Sequence, residues 1–345
     1  MYGWAVIGAG PAGIATVGKL IDHGVPTKEI LWIDPRFSVG DLGQLWSNIP
    51  SNTKVKLFLK FLRASSAFDY KQCPPEKHQI NSTNPETTCR LSMIVEPLQW
   101  VTENLLKKVV PRKDIAESIY LKDRNWHISF RNSEEALAKN IILAIGAEPK
   151  KLSYSHPSIP IEEAMDDHKI KHHLEKTDKI AIFGSSHSAI LALRNLCNNN
   201  VNQIINFYRS PLRYAVYFEN WILFDDTGLK GEAAEWARQN IDGDMPENLI
   251  RVYANQENIE HYLPQCNKVI YAIGFEARSL PIIKNLGHVT YQERCGIIAP
   301  GLFGLGIAFP EVKANRFNIL EYRVGLWKFI EYLHDVLPIW FNYPA

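Results

Sequence analysis

Apolar positions along the chain come in two forms, short continuous runs and longer stretches at helical spacing, and the two forms alternate. Trp4 to Ile7 is an apolar run long enough for a buried strand. Ala12, Ile14, Ala15, Val17, Leu20 and Ile21 then fall at helical spacing, and Gly24 with Pro26 marks a stop. Ile30 to Ile33 is a second strand, closed by Asp34. The segment from Pro35 to Phe58, with Gly40, Gly43 and Pro50, reads as a loop, and residues 63–92, rich in Pro and Asn, as an irregular excursion or lid. Pro97 to Leu106 restores a helical pattern, with Pro97 suited to its first turn. Ser118 to Leu121 and Trp126 to Arg131 alternate apolar with polar, as strands of a small antiparallel layer do. Asn140 to Pro149 is a buried strand whose run through Ala144 and Ile145 is closed by Gly146.

After a polar boundary, Lys150 to Lys179, the strand and helix pattern starts again. Lys179 to Phe183 is a strand, Ile190 to Cys197 a helix, and Ile204 to Tyr208 a strand. Residues 211–249 carry Tyr214, Tyr217, Phe218, Trp221, Phe224 and Trp236. Aromatics at such mixed spacing read as core rather than as the wall of a substrate pocket. Gly231 to Ile241 fits a helix, and the strand from Asn267 to Phe275 repeats the ending Ala-Ile-Gly at Ala272, Ile273 and Gly274. Those two endings mark the expected crossings between domains. Gly301 to Gly306 gives a further strand and Val312 onward a helix. Phe317 to Phe341 is apolar on more than one face, which suits a buried helix, an oligomer contact or a peripheral membrane contact.

The chemistry sits where strand passes into helix. Gly8-Ala9-Gly10-Pro11-Ala12-Gly13 has the G-x-G-x-x-G spacing, and Asp34 stands 21 positions after Gly13. Gly8 allows the tight turn, Gly10 lets backbone approach a pyrophosphate, and Gly13 lets helix pack on sheet. The phosphates then meet free N–H groups at the positive end of a helix dipole. Asp34 is suited to a ribose diol. The second unit carries a degenerate copy, Gly184-Ser185-Ser186-His187-Ser188-Ala189, and Arg209 follows its second strand in place of a carboxylate. Arg209, Ser210 and Arg213 suit a 2′-phosphate, so the second dinucleotide is expected to be NADP. Gln44, Trp46, Asn48 and Asn52 supply polar and aromatic groups of the kind that line a flavin.

Other readings of the same residues are weaker. Gly184 to Ser188 lacks the last glycine of a serine-hydrolase elbow. His168, His172 and His173 are interrupted by lysines and read as a solvated basic face, so no metal is expected. A formal net charge of +1 gives no reason to expect nucleic acid as a partner. The five cysteines are odd in number and widely spaced, without a C-x-x-C, which argues against a disulfide framework or zinc and suits a reducing compartment. No apolar run reaches the roughly 18 residues of a membrane span, and the first strand begins too early to leave room for a signal peptide, so the cytoplasm is the expected location. A length of 345 residues suggests about two domains in an ordinary globular protein.

The order Gly8 to Gly13, Asp34, Ala144-Ile145-Gly146, Gly184 to Ala189, Arg209, Ala272-Ile273-Gly274 and Gly301 to Gly306 resembles the two-dinucleotide-binding-domain flavoproteins over nearly the whole chain. That resemblance implies an α/β fold of two Rossmann-like, three-layer ββα domains. FAD would lie on residues 1–150 and 281–345, and NADPH on the inserted domain 151–280. Gly146, Gly274 and Gly306 would border the cofactors. The family's last FAD motif ends in Gly-Asp, whereas Gly306 is followed by Ile307. Disulfide reductases of this superfamily need two cysteines at the flavin, and no such pair is present. Gly43 to Pro50 is similar instead to the flavin-containing monooxygenases, whose Asn in an Asn-x-Pro segment matches Asn48 and implies a catalytic role for it. The implied enzyme is a monooxygenase acting on a small molecule. An NADPH-dependent reductase serving a protein or quinone acceptor, and a silent FAD-binding interaction protein, are the alternatives.

Overall fold

The computed structural model describes residues 1–287 and 289–345. Its largest sheet has nine strands. Tyr2–Ile7 lies at the centre, parallel to Ile30–Ile33 on one side and to Ala136–Leu143 on the other, and Val110–Arg112 closes the edge. Alternation of side chains along a strand explains why these strands read as unbroken apolar runs. Trp4, Val6, Ile30 and Trp32 face one core, under the helices Pro11–Asp22, Val55–Leu62, Ser92–Leu106 and Leu326–Phe341; Ala5, Ile7, Leu31 and Ile33 face another.

That second core lies beneath the antiparallel strands Ala116–Lys122 and Asn125–Phe130, which bury Ile119, Trp126 and Ile128. Their layer is continuous with the main sheet. Ala136–Leu143 pairs at its start with Asn125–Phe130 and at its end, through Ile141 to Leu143, with Leu302–Gly304. One long strand therefore serves both layers.

A separate four-stranded parallel sheet runs Leu249–Tyr253, Gln203–Tyr208, Lys179–Phe183, Lys268–Tyr271. It too is buried on both faces, Ile180, Ile182 and Ile204 on one and Phe183, Ile205 and Phe207 on the other. The two sheets are joined where Ala147–Pro149 pairs antiparallel with Phe275–Ala277. Both Ala-Ile-Gly endings lead directly into this ribbon.

Several expectations need correction. Pro97 is not in a first turn but is the sixth residue of Ser92–Leu106. Its ring removes one N–H from the ladder, and the helix persists because Ile94, Leu98, Val101 and Leu105 are fully buried around it. The segment from Pro35 to Phe58 is not all loop: Gly40–Gln44 is a helical turn, Pro50–Lys54 pairs with Thr88–Arg90, and Val55–Leu62 is a helix. Val312 does not open a helix. Glu311–Ala314 and Leu320–Arg323 form a hairpin, because the Asn315 side chain accepts N–H bonds from Phe317 and Ile319 and Asn318 takes the left-handed conformation at φ 60°. The helix begins only at Leu326, with Phe329, Leu333, Val336, Leu337 and Trp340 on its buried face.

The aromatics of 211–249 are only in part core, since none of the six is fully buried. Tyr214 and Trp236, the latter on the helix Gly231–Asn240, pack half-buried against the core of the second sheet, while Tyr217, Phe218 and Trp221 belong to a surface hairpin, Val216–Tyr217 with Ile222–Leu223. Phe218 stacks on Trp221 at 4.6 Å, and Trp221 meets Phe317 of the other hairpin at 5.6 Å. Among the described residues no helix is long and apolar enough to cross a membrane.

Candidate functional site

The two glycine turns are built alike down to single hydrogen bonds. Gly8 N–H donates to Ile33 O at 2.8 Å, and Gly184 N–H to Phe207 O at 2.9 Å. Ala144 N–H donates to Ile7 O, and Ala272 N–H to Phe183 O, both at 2.8 Å. Gly8 has φ 112° and Gly184 φ 128°. A Cβ at Gly8 would stand 2.1 Å from Ala144 O, and one at Gly184 2.3 Å from Ala272 O. Only glycine fits at either turn.

Two residues beyond the motif complete the match. Trp32 Nε1–H donates to Gly8 O at 2.9 Å, and Asn206 Nδ2 donates to Gly184 O at 2.7 Å. Each stands one position before the residue whose carbonyl receives the glycine N–H. Arg251 in turn donates to Asn206 Oδ1 at 2.9 Å. Neither Trp32 nor Asn206 carries a motif signature, so only the register of the strands reveals them.

At the first turn, helix Pro11–Asp22 has no side chain capping its N-terminus. Pro11 has no N–H to offer, and Ile14 N–H bonds Gly10 O at 3.0 Å, which leaves the amides of Ala12 and Gly13 to face outward. Around Gly10 the nearest atom to an added Cβ is Gly40 Cα at 4.0 Å. Gly306 lies across the same helix end, where its own Cβ would come within 2.9 Å of Ala12 Cβ, and Ile307 beyond it is exposed. Asp34 Oδ2 accepts from Ala9 N–H at 2.9 Å, and Oδ1 accepts from Arg36 and Phe37 N–H, each at 2.8 Å. A carboxylate has about four acceptor directions, so one is left for a hydroxyl. A bare helix N-terminus, a glycine turn and a ribose-type carboxylate fit an adenine dinucleotide such as FAD.

The second turn opens on a cavity of about 480 Å³, lined by Gly184, Ser185, Ser186, Arg209, Ser210 and Arg213, and by Gly274. Among the described residues no Asp or Glu lines it. Helix His187–Asn198 starts inside the motif, three residues earlier than expected, and its N-terminus carries no side-chain cap, so Ser188 and His187 belong to its first turn. Ser185 Oγ donates to Ser210 O at 3.1 Å, tying the turn to the arginine segment. Tyr208, not Arg209, follows the carbonyl that receives the glycine amide, and Arg209 comes one step later. A cationic cavity at a bare helix end fits a phosphorylated dinucleotide. The His187 imidazole is held down to about 4 by burial, then by Lys230 and Arg194, against a bond to the Pro50 backbone.

Gly146 (φ 71°) and Gly274 (φ 99°) have open space on the side where a Cβ would project. The flavin-type segment lies beside their ribbon. Trp46 meets Phe275 edge-on at 5.9 Å, and Asp41 accepts from Arg278 at 2.5 Å. Gln44 bonds Ser38 Oγ. Asn48 is exposed, with Nδ2 donating to Asp166 Oδ2 at 3.3 Å. Asn52 is exposed on the strand Pro50–Lys54 and its Oδ1 accepts from Thr53. Gln44, Trp46 and Asn48 are thus on one short segment against the second ribbon strand, while Asn52 points to solvent beyond it.

The structure matches solved flavoproteins over nearly its full length. Ornithine N-hydroxylase KtzI of Kutzneria sp. 744 has a TM-score of 0.69 at 11% identity over 99% of each chain. A flavin-containing monooxygenase from Stenotrophomonas maltophilia has 0.65 at 14% identity, again over 99% of each. These likenesses establish the fold class, two dinucleotide-binding units of the flavoprotein type. No family model matches the chain. Monooxygenase AgnR1 of Paecilomyces divaricatus is 30% identical over 97% of each chain. The chain belongs to the family of that monooxygenase and has the fold of the two-dinucleotide-binding-domain flavoproteins.

Proposed function

We propose that residues 1–150 with 281–345 hold FAD, that residues 151–280 hold NADPH, and that the enzyme oxygenates a small nucleophilic or lipophilic molecule. The observation that carries this is the pairing of two equivalent glycine turns with opposite chemistry, a carboxylate at Asp34 and guanidinium groups at Arg209 and Arg213.

Ala12 and Gly13 N–H would receive the FAD pyrophosphate, and Asp34 its adenosine ribose. Ile307 can offer only backbone to the ribityl chain. His187 and Ser188 amides would receive the NADPH pyrophosphate, and Arg209 and Arg213 its 2′-phosphate. When bound, the cofactors supply hydride transfer and oxygen activation. The chain's own part is orientation. The ribbon of Ala147–Pro149 and Phe275–Ala277 fixes Trp46 and Asp41, so the segment carrying Asn48 lies where the two units meet. Asn48 then presents an amide toward the reacting region, and the surrounding segment limits access of water. One atom of dioxygen enters the substrate and the other leaves as water, with two electrons from NADPH. The five cysteines are all unpaired, which supports a reducing location such as the cytoplasm.

Arg209→Ala tests the cofactor assignment. A charged hydrogen bond contributes about 1.5–3 kcal/mol, so KM for NADPH is expected to rise roughly 10- to 100-fold while KM for NADH stays put. Unchanged preference for NADPH would contradict the assignment.

A further inference from the structure

We propose that Asp166 is a positioning residue for Asn48, and that Arg90 with Asp167 completes a clamp fixing which way the Asn48 carboxamide faces. The proposal rests on the role given to Asn48 above. Asp166 is 1% exposed, although it lies in the irregular segment between the two sheets. Its Oδ1 accepts the backbone N–H groups of His168 at 2.9 Å and Lys169 at 3.1 Å, which locks the carboxylate in place. Oδ2 is thereby left for Asn48 Nδ2. Burial works to raise the Asp166 pKa, but the Lys169 and His168 amides and the Asn48 side chain outweigh it and hold the group below the usual carboxylate range.

The consequence is a choice between two otherwise equivalent poses. A carboxamide turned over by half a revolution has nearly the same shape, with N and O exchanged. An ionised carboxylate only accepts, so Asn48 must turn its NH₂ toward Asp166 and its Oδ1 away. The main chain is held as well. Arg90 Nη1 donates to Asn48 O, and the same guanidinium forks onto Asp167 at 2.9 and 3.4 Å. Adjacent aspartates thus grip the side chain directly and the backbone through Arg90. An exposed side chain on a short segment gains from neighbours the orientation that its own packing does not supply.

Asp166→Asn separates positioning from local folding. Its remaining oxygen still receives the His168 and Lys169 amides, but an NH₂ now faces the NH₂ of Asn48. In apoprotein with ¹⁵N-labelled asparagine, the Asn48 side-chain resonance, identified by its loss in Asn48→Ala, is expected to shift and to exchange its amide protons faster. In the holoenzyme, product formed per NADPH consumed is expected to fall at least about tenfold, with hydrogen peroxide released instead and with NADPH-driven flavin reduction unchanged. Arg90→Met, which leaves the Asp166 bonds intact, should give a smaller fall, and Asp166→Ser, whose hydroxyl can still accept from the two amides but no longer reaches Asn48, stands in if Asp166→Asn does not fold. If Asn48→Ala uncouples but Asp166→Asn or its stand-in leaves both the resonance and the coupling as in the wild type, the positioning proposal is overturned. If the resonance shifts and Asn48→Ala leaves coupling intact, positioning stands and the role of Asn48 falls.

Discussion

Trp32 and Asn206 are the residues that make the two halves of this protein comparable. Each donates to the carbonyl of the first glycine in its turn, a carbonyl that the turn withdraws from the sheet ladder, and Asn206 gives its second N–H to Ile182 O at 3.3 Å. Trp32→Phe removes the donor and trims a fully buried indole to a single ring. The lost bond and the space left behind are together expected to cost about 2–4 kcal/mol, read as a lower midpoint in urea, with looser FAD retention. A wild-type midpoint would contradict this account of Trp32. His187 makes a pH prediction. Its folded pKa, about 4, lies below the usual 6.5, so the unfolded chain binds the proton first. Stability from this group is present above pH 6.5 and is lost as pH falls toward 4. His78 acts in the same direction, with burial and then Lys77 lowering its pKa. Melting temperature against pH should therefore be flatter across that window in His187→Gln than in the wild type. Parallel profiles would contradict the burial account.

At the scale of elements, Asp225 joins the surface hairpin to the C-terminal helix. Its carboxylate meets Lys230, whose side chain is 9% exposed, and Lys328 Nζ at 2.6 Å. Burial pushes the Asp225 pKa up, and the two lysines more than reverse that. Asp225→Ala leaves a buried ammonium without its anion and is expected to cost about 3 kcal/mol. Lys328→Ala keeps the Lys230 pair and should cost less. Equal costs by urea denaturation would contradict this order.

Elements of this kind also show what a sequence can disclose. The strands flanking each glycine turn were legible because burial on both faces demands an unbroken apolar run. Val55 to Leu62 carried a helical stripe too, with Val55, Phe58, Phe61 and Leu62 all buried, but the polar residues before it extended the loop reading across its start. The hairpin at Glu311–Arg323 was hidden because Asn315 sets it by local bonds rather than by apolar period. The aromatic tip at Phe218, Trp221 and Phe317 misled for a different reason: mutual stacking at the surface leaves the same composition as a core. At the site, motif spacing found the two turns. Asp166 was out of reach, because its contact with Asn48 spans 118 positions and has no signature.

The whole molecule joins two parallel sheets through one antiparallel ribbon, with the glycine turns at the ends of central strands in both sheets. Around that ribbon, contacts from Trp46, Asp41 and Asn48 hold the flavin-type segment to residues of the other half. Such an arrangement makes transfer of electrons from a nicotinamide cofactor to a bound flavin the central claim. The direct measurement is the visible flavin absorbance of the purified holoprotein, mixed without oxygen first with NADPH and separately with NADH. Rapid bleaching by NADPH, much slower bleaching by NADH, and recovery of colour on admitting air are the predicted results. Absorbance unchanged by NADPH would contradict the account.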